Sequence, residues 1–395
     1  MLTIAYLANQ FPCPVEPYVG EEIEELRRRG IRVIAGSVRA PRDDSETDSG
    51  ARCAPEVLLL PVGLMVLFKG AWLALCRWNR ISGLIGRVVL RGREGPFGRM
   101  KALLHTYLGA CYAVMLAEKE VDHIHAHHGY FGSWIAMTAS RLLDTGFSLT
   151  LHGSDLLLQA AYLDVKLEKC SFCLTVSDYN RRYILEHYPN IDADKVLVSR
   201  LGVELPQAKT HHSSAYRERK ISLLAVGRLH AVKNHAFLIR ACAQLQARGV
   251  QFVCSIAGDG PKRSKLESLI RKFGLKHRVT LLGHVARESM DSLYDRADIV
   301  VLTSRSEGIP LALMEAMARG KLVLAPAITG IPELVVSGKT GFLYQPGSMG
   351  DFLAQLLFIH SLFENSRPSD RNYSPAAARN LSWVRHAAQV QVRHN

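Results

Sequence analysis

The sequence predicts an α/β protein with two domains, each built around a parallel, doubly wound sheet. Short apolar segments alternate with helical segments along the whole chain, which is typical of parallel sheets covered by helices. The chain has 395 residues, more than one hydrophobic core usually holds. Hydrophobic residues make up 48% of it, which is enough to fill two cores.

The first half of the chain is expected to contain six strands and four long helices. The strands are predicted near residues 2–7, 31–36, 121–126, 147–151, 172–176 and 195–198, and the helices at 16–29, 98–118, 130–143 and 178–187. No charged segment precedes the first strand, so a signal peptide is not expected. A cytoplasmic protein with reduced thiols follows from that expectation.

The second half repeats the alternation of strand and helix. The strands are predicted near residues 221–226, 251–257, 278–282, 298–302 and 321–325, and the helices near 234–247, 262–273, 287–294 and 311–318. The polar stretch 207–214 indicates a linker between the halves. Of eight cysteines, only Cys170 and Cys173 form a C-x-x-C, and they fall on a predicted strand, which favours a buried apolar role over redox chemistry.

Two strand-to-helix turns in the second half carry residues that suit an anionic ligand. A strand ends at Gly227, and Arg228 and Lys233 follow it before the next helix. Arg offers a planar fork of donors to phosphate and Lys offers a point charge. The second turn is the glycine-rich segment 258–261. Because such turns open at one edge of a parallel sheet, we expect them to form one site.

A third turn carries two carboxylates. Glu307 and Glu315 are separated by seven residues and flank a Gly/Pro turn with the start of a helix. Pro310 suits the first helical position, and the N–H groups of a helix start at Gly308 and Ile309 would attract a diphosphate. Carboxylates accept hydrogen bonds from sugar hydroxyls. A solvated glutamate on an ordinary helix is the alternative interpretation of such a pair.

The three turns described above are followed by the segments 330–335 and 341–343. Taken in this order, these motifs resemble the donor-binding half of retaining GT-B glycosyltransferases, in particular glycosyltransferase family 4 (group 1). The resemblance covers about residues 221–346. The N-terminal half resembles the family more loosely, closest to members of exopolysaccharide, colanic-acid or lipopolysaccharide biosynthesis. It does so through the segments 11–12, 125–129, 152–155 and 177–180.

The resemblance implies a GT-B fold, in which two Rossmann-like domains face a central cleft. Residues 1–205 would bind the acceptor, and residues 206–374 would bind a nucleotide-sugar donor. A last helix, residues 375–395, would return to the first domain after a crossing segment around residues 352–363.

The resemblance also implies the residues of the site. Arg228 and Lys233 would stabilise the diphosphate, Glu307 would hold hydroxyls of the donor sugar, and Glu315 would hold the ribose hydroxyls. The catalytic residues would be His152, Glu307, Arg228 and Lys233. Donor-binding residues would be Arg228, Lys233, Gly258, Gly260, Val285, Glu307, Gly308, Ile309, Pro310, Leu311 and Glu315. Acceptor or cleft residues would be Glu16, His127, Gly129 and Asp155, with Asp155 as an orienting or helix-capping residue.

No metal or other cofactor is expected. His123, His125 and His127 alternate on one predicted strand and share a face, but neighbouring strand residues rarely converge on a zinc ion alone. The segment 192–194 mimics a metal-binding D-x-D but lies in a polar loop far from the donor motifs. The family resemblance implies no metal for donor binding, so the nucleotide-diphosphate sugar would bind as a substrate without one.

The charge of the chain predicts an anionic partner. The formal net charge is +13, and a basic stretch, residues 77–101, follows a largely apolar run, residues 57–76. Pro61 and Gly63 interrupt that run, which disfavours a spanning helix. An interfacial helix or hairpin on an anionic leaflet is favoured, and a buried core segment is the alternative. Nucleic acid is not expected, since aromatic interleaving and known binding signatures are absent from the sequence.

The expected function is transfer of a sugar, with retention, from a nucleotide-diphosphate sugar to a lipid-linked glycan of bacterial exopolysaccharide or lipopolysaccharide. The protein would be cytoplasmic and peripheral on the inner face of the cell membrane. The alternatives are a phosphorylase or epimerase of the same fold, or a non-catalytic nucleotide-sugar-binding protein. The sequence leaves open the donor base and sugar, the acceptor, the linkage and the oligomeric state.

Overall fold

The computed structural model describes residues 1–13, 16–41, 54–90, 94–158, 161–203 and 220–365. The chain divides into two compact units, unit 1 (Met1–Ser199) and unit 2 (Arg200–Asn395). Three predicted features lie outside the described residues: the boundary at 205/206, the linker 207–214 and the returning helix 375–395.

Unit 1 is built on a sheet of seven parallel strands. They are β1 (Thr3–Gln10), β2 (Arg32–Arg39), β3 (Val57–Leu58), β4 (His123–His127), β5 (Gly146–Leu151), β6 (Phe172–Thr175) and β7 (Val196–Val198). Their order across the sheet is β3-β2-β1-β4-β5-β6-β7. The order reverses between β1 and β4, and ligands of such sheets bind outside the carboxyl ends of the strands at this point.

Eight helices accompany this sheet in the described residues. They are α1 (Pro17–Arg28), α2 (Leu64–Cys76), α3 (Trp78–Leu90), α4 (Pro96–Leu116), α5 (Phe131–Leu143), α6 (Ser154–Leu157), α7 (Leu163–Lys169) and α8 (Asp178–His187). Local chemistry sets several of their starts. Pro17 occupies the first turn of α1, and the Ser177 hydroxyl caps α8 by accepting the Asn180 N–H at 3.1 Å.

Helices α4 and α5 pack closely in the core of unit 1. A Cβ added to Gly109 of α4 would lie 2.5 Å from Cβ of Thr138 in α5, so only glycine permits this approach. The buried Trp134 donates its indole N–H to Thr106 Oγ1 at 2.8 Å. One helix of the described residues, Pro96–Lys119, is long and apolar enough to cross a membrane, and half of it is buried. Packing in this core accounts for much of its apolar composition.

Unit 2 is built on a second parallel sheet of six strands. They are β8 (Ile221–Val226), β9 (Phe252–Ala257), β10 (Val279–Gly283), β11 (Ile299–Val301), β12 (Leu322–Pro326) and β13 (Phe342–Tyr344). Their order is β10-β9-β8-β11-β12-β13. The helices are α9 (His235–Ala247), α10 (Arg263–Lys272), α11 (Arg287–Arg296), α12 (Leu311–Ala318), α13 (Ile331–Leu334) and α14 (Met349–Asn365). The order reverses between β8 and β11, which places the turns after these strands together.

The structure confirms the predicted strands and helices within a few residues and corrects one segment. Residues 352–363 were expected to cross between domains, but they form part of α14 and pack within unit 2. Phe352, Leu353, Leu356 and Ile359 repeat at helical spacing and are buried in its core, which requires a helix at this place. The sequence prediction also omitted β3, α3, α6, α7, α13 and β13.

Candidate active site

The turns after β8 and β9 are joined through glycines and backbone hydrogen bonds. Leu229 N–H donates to the carbonyl of Asp259 at 2.8 Å. Gly258 has φ +135°, and a Cβ there would lie 2.2 Å from the carbonyl oxygen of Gly227. Gly260 has φ +154°, and its Cβ would approach the Leu229 carbonyl oxygen to 2.9 Å. Glycine is therefore required for these two turns to meet, and Arg228 is left exposed at the sheet edge.

Lys233 lies in the turn after β8 and is positioned by residues that follow the neighbouring strand β11. The Thr303 hydroxyl, just beyond β11, donates to the Lys233 carbonyl at 3.0 Å, and Arg305 N–H donates to the Val232 carbonyl at 2.8 Å. The ammonium Nζ of Lys233 then lies 2.7 Å from Oε1 of Glu307. The side chains of this ion pair are 22% and 11% exposed, so both charges are partly withdrawn from water. Two of the predicted site residues, distant in sequence, therefore meet.

Glu307 and Glu315 each accept a hydrogen bond from a hydroxyl group, Glu307 through its backbone and Glu315 through its carboxylate. Thr329 donates to the backbone carbonyl of Glu307 at 2.6 Å, which fixes the loop before α12. Tyr294 of α11 donates to Oε2 of Glu315 at 2.6 Å. Burial raises the pKa of Tyr294, and the nearby Glu315 charge raises it further, so the phenol remains a donor. Glu315 is thereby oriented while one carboxylate oxygen keeps capacity for a ligand.

The start of α12 differs by a residue or two from the sequence prediction. Pro310 was expected at the first helical position with the helix starting at Gly308 and Ile309, but Pro310 is the N-cap and Leu311 is the first helical residue. Pro310 has an extended ψ of 113°, which is compatible with the cap and not with the helix itself. The amide N–H groups of Gly308 and Ile309 therefore belong to the turn before the helix.

The remaining predicted donor residues are part of the packing around this edge. Ile309, Leu311 and Val285 are partly buried against the cluster that includes Leu313 and Tyr294. The hydroxyls of Ser304 and Ser306, two positions that the sequence analysis omitted, are buried without a hydrogen-bond partner in the described part of the chain. Unpaired buried hydroxyls beside Glu307 are consistent with a polar ligand at this edge.

In unit 1, Asp155 gathers the loops after β4 and β5. Its carboxylate is fully buried and accepts the backbone N–H groups of Gly153 at 2.7 Å, Gly129 at 2.9 Å and His152 at 3.1 Å. Burial would raise the pKa of Asp155, but the contact with His128 and these donors hold it below its ordinary value. Asp155 therefore orients the predicted residues His152 and Gly129, and Gly153, not Asp155, is the N-cap of α6.

His128 links Asp155 to the predicted residue Glu16. Its Nε2 lies 3.1 Å from Glu16 Oε1, and its Nδ1 lies 3.5 Å from Asp155 Oδ2. Burial would lower the pKa of His128, but hydrogen bonding and charge from the two carboxylates raise it to about 10. His128 has φ +69°, in the left-handed region. A protonated imidazole is thus held between two carboxylates at neutral pH.

His152 and His127 contact each other through their rings. Nε2 of His152 lies 3.2 Å from Nδ1 of His127, and the other His127 nitrogen lies 3.4 Å from Oε2 of Glu22. Burial lowers the pKa of His152 well below its ordinary value, and the neighbouring imidazoles of His128 and His127 lower it further. His152 is therefore a neutral imidazole, which can donate or accept a hydrogen bond but carries no charge.

Glu22, His125 and His127 bring three possible metal ligands within 4.8 Å of one another. Both ring nitrogens of His125 already have partners, Ser148 Oγ at 2.7 Å and Thr150 Oγ1 at 3.0 Å. Burial lowers the pKa of His125 to about 3, so it is neutral without a metal. Hydroxyls of the neighbouring strand therefore satisfy this histidine, and the group gives no reason to infer a metal ligand set.

Lys166 is a buried residue that the sequence analysis did not single out. Its Nζ donates to the carbonyls of Gly129 at 2.6 Å, Ala161 at 2.9 Å and Tyr130 at 3.1 Å. Burial lowers the pKa of Lys166 to about 7, against the raising effect of Asp155. The ammonium fixes the loop that carries His128 and Gly129. No periodic signal distinguishes such a lysine from the many solvated lysines of helices.

Two protein-family models match the chain. The model described as Glycosyltransferase Family 4 matches residues 15–207, and the model described as Glycosyl transferases group 1 matches residues 206–378. The chain belongs to these glycosyltransferase families. Together the matches cover the predicted motifs of both halves of the chain, and they confirm the predicted family.

Named relatives agree with this membership. The colanic acid biosynthesis protein WcaL of Salmonella typhimurium is 38% identical over 156 residues, 38% of this chain and 38% of the relative. The amylovoran biosynthesis glycosyltransferase AmsK of Erwinia amylovora is 34% identical over 171 residues, 42% of each chain. The matched region therefore spans less than half the length of these relatives.

A solved structure confirms the fold. HepE of Anabaena, in complex with UDP and glucose, superposes with a TM-score of 0.70 at 19% identity and covers 99% of this chain and 97% of its own. The fold is GT-B, with one parallel Rossmann-like sheet in each unit, as the sequence predicted.

The contact between Gly258 and Gly227 predicts a large cost for a single methyl group. Gly258→Ala should lower the free energy of unfolding by about 2 kcal/mol or more, because the new Cβ would overlap a carbonyl oxygen and the backbone could not relax freely. Gly274→Ala is the matched control, since Gly274 also has positive φ but its Cβ would meet nothing within 4 Å. Thermal denaturation of both variants measures the difference, and equal losses would show that the two turns do not touch.

The environment of His128 predicts a pH-dependent contribution to stability. Because folding raises the pKa of His128 to about 10, from about 6.5 in the unfolded chain, its contribution is complete below about pH 6.5. The contribution is then lost as the pH rises to about 10. His128→Asn preserves the left-handed backbone. Wild type should exceed this variant in melting temperature at pH 6, and the difference should shrink by pH 10; a constant difference would contradict the assignment.

Proposed function

We propose that the protein is a retaining glycosyltransferase that uses a nucleotide-diphosphate sugar as donor. The observation that carries the proposal is the contact of Lys233 with Glu307 at the edge where the strand order of unit 2 reverses. A cation for the diphosphate and a carboxylate for sugar hydroxyls are adjacent there. Family membership and the fold of the UDP-bound HepE support the donor class.

The proposed chemistry begins at the leaving group. The bond between the anomeric carbon and the diphosphate oxygen breaks, and its electron pair stays on the diphosphate while the sugar becomes oxocarbenium-like. Lys233 and Arg228 stabilise the growing negative charge; preorganised groups of this kind each contribute a few kcal/mol. Glu307 accepts hydrogen bonds from the donor sugar, and Glu315, oriented by Tyr294, accepts them from the ribose.

The second half of the reaction forms the new bond. The acceptor hydroxyl oxygen bonds to the anomeric carbon, and retention without a protein nucleophile brings it in on the face that the diphosphate leaves. The departing oxygen is then the nearest base and takes the hydroxyl proton. We assign to His152, from the family resemblance, a hydrogen bond to the donor sugar; its neutral imidazole suits that role. Glu16, His127 and Gly129 belong to the acceptor side.

We further propose that the acceptor is a lipid-linked glycan of exopolysaccharide or lipopolysaccharide synthesis. The names of WcaL and AmsK, which refer to colanic acid and amylovoran, support this class. The enzyme would be cytoplasmic and peripheral on the inner face of the membrane. Lys233 and Arg228 supply positive charge for the diphosphate, so no metal or other cofactor is proposed for donor binding.

Alanine substitutions test the donor site. Arg228→Ala, Lys233→Ala and Glu307→Ala should each lower turnover at least about tenfold and leave the fold intact, because each removes a group that acts on the departing diphosphate or the sugar. Lys272→Ala is the matched control, since Lys272 is an exposed cation at the far end of α10. Turnover is measured as nucleoside diphosphate release from UDP-, GDP- and ADP-sugars.

The result separates the alternatives. Wild-type turnover in one of the three variants would remove that residue from catalysis. A thermal shift would show that the wild-type protein binds a donor. If it binds a donor but releases no nucleoside diphosphate, with or without an acceptor extract, the non-catalytic binding protein is favoured.

A further inference from the structure

Helix α2 is apolar on both of its faces. Its inner face packs in unit 1, where Leu67 and Leu73 join the core and Gly70 lies against Cys111. Its outer face remains open in the described part of the chain, with Phe68 75% and Trp72 70% exposed. The exposed apolar residues of the outer face are Leu64, Met65, Phe68, Trp72 and Leu75. A helix that needed only to cover a core would carry polar residues on this side.

The first turns of α4 extend this surface. Tyr107 donates its hydroxyl to the Leu67 carbonyl at 2.8 Å, and Gly70 meets Cys111, so α2 and α4 run side by side in the same direction. Leu64 lies three residues before Leu67, and Leu104 lies three residues before Tyr107. Leu64 therefore lies beside the turn of α4 that includes Leu104. We call eight exposed apolar residues of these two helices the apolar face. It consists of Leu64, Met65, Phe68, Trp72 and Leu75 of α2 with Phe97, Met100 and Leu104 of α4.

Much of the basic stretch that predicted an anionic partner is paired within unit 1. Arg77 and Arg80 contact the carboxylate of Asp144 at 2.9 Å and 2.7 Å, and Arg87 contacts Asp164 at 2.8 Å. These arginines are less available to lipid headgroups than the sequence suggested. Two lysines, Lys69 and Lys101, lie beside members of the apolar face, and Nζ of Lys101 lies 4.7 Å from the ring centroid of Phe131.

Each lysine stands one helical turn from apolar residues on both sides. Lys69 lies four residues after Met65 and three before Trp72, and Lys101 lies four after Phe97 and three before Leu104. Both are exposed. A long lysine stem can follow apolar surface while its ammonium reaches the anionic headgroup layer. An apolar surface with aromatic residues and lysines, and without exposed carboxylates among its members, complements an anionic bilayer.

We propose that the apolar face inserts into the interfacial layer of an anionic membrane and holds the enzyme there by hydrophobic burial. The proposal rests on the proposed function, because a lipid-linked acceptor requires an enzyme at the membrane surface. Helix α2 has 13 residues and is about 20 Å long, too short to span a bilayer, so it lies in the plane of the interface. Charge attracts the protein to the leaflet, and the apolar side chains retain it.

Vesicle flotation tests the inserted residues. Full-length wild type should float with phosphatidylglycerol/phosphatidylcholine vesicles and remain partly bound in 0.5 M NaCl, because salt screens charge but not apolar burial. The double variant Phe68→Ser/Trp72→Ser should bind at least about tenfold more weakly, since two large apolar side chains are lost from the interface. Phe358→Ser is the matched control, because Phe358 is an exposed phenylalanine of α14 in unit 2.

Trp72 fluorescence provides a second readout. Brominated lipids should quench the emission of wild type more strongly than that of Trp72→Phe, while both bind vesicles. Without vesicles, acrylamide should reach Trp72 freely. Protection of Trp72 in lipid-free solution would contradict the proposal, since it would mean that residues 366–395 or a second copy of the chain already covers the face.

Three further outcomes overturn the inference: binding of the double variant that equals wild type, complete release of wild type by salt, or concentration-dependent dimers that the double variant abolishes. Release of nucleoside diphosphate from donors in lipid-free solution is measured in parallel. The apolar face is not part of the donor site, so retained release in the double variant separates loss of membrane binding from failure of the proposed activity.

Discussion

The ion pair between Lys233 and Glu307 is the contact on which the proposed donor site depends. The two residues are 74 positions apart in sequence, and they meet because β8 and β11 are neighbours in the sheet, so that their following turns share one edge. A partly buried ion pair gains little stability after desolvation. In the proposed function its value lies in placing a cation and a carboxylate together for the donor. Glycines in the adjoining turns allow those turns to meet.

Unit 1 uses charge differently. Asp155, His128 and Lys166 are ionisable groups buried close together, and each is satisfied by backbone groups or by a charge of opposite sign. Such a network is costly if one partner is lost, so it fixes the loops after β4 and β5 in one arrangement. Its positive member, His128, also lowers the pKa of His152. Burial is the main cause of the lowered pKa of His152, and the protonated His128 lowers that pKa further.

The features that depend on a local sequence pattern could be predicted from the sequence. Alternating segments predicted the sheets, and the spacing of cation and carboxylate predicted that Lys233 and Glu307 share one sheet edge, where they meet. The contacts of Tyr294 with Glu315 and of Glu22 with His127 could not be predicted, because the position of a residue in a helix does not indicate which distant side chain it contacts. Segment 352–363 was assigned by resemblance against its own helical spacing, which indicated a core helix. Helix α2 has two apolar faces, and only the structure shows which of them is buried and which is exposed.

The contribution of Lys233 to diphosphate recognition can be measured directly. Calorimetry would compare the binding of UDP with UMP, and of GDP and ADP with their monophosphates, to wild type and to Lys233→Ala. Wild type should prefer the matching diphosphate at least about tenfold, or about 1.4 kcal/mol, and this preference should largely disappear in the variant. An unchanged preference in Lys233→Ala would contradict a diphosphate site at this ion pair.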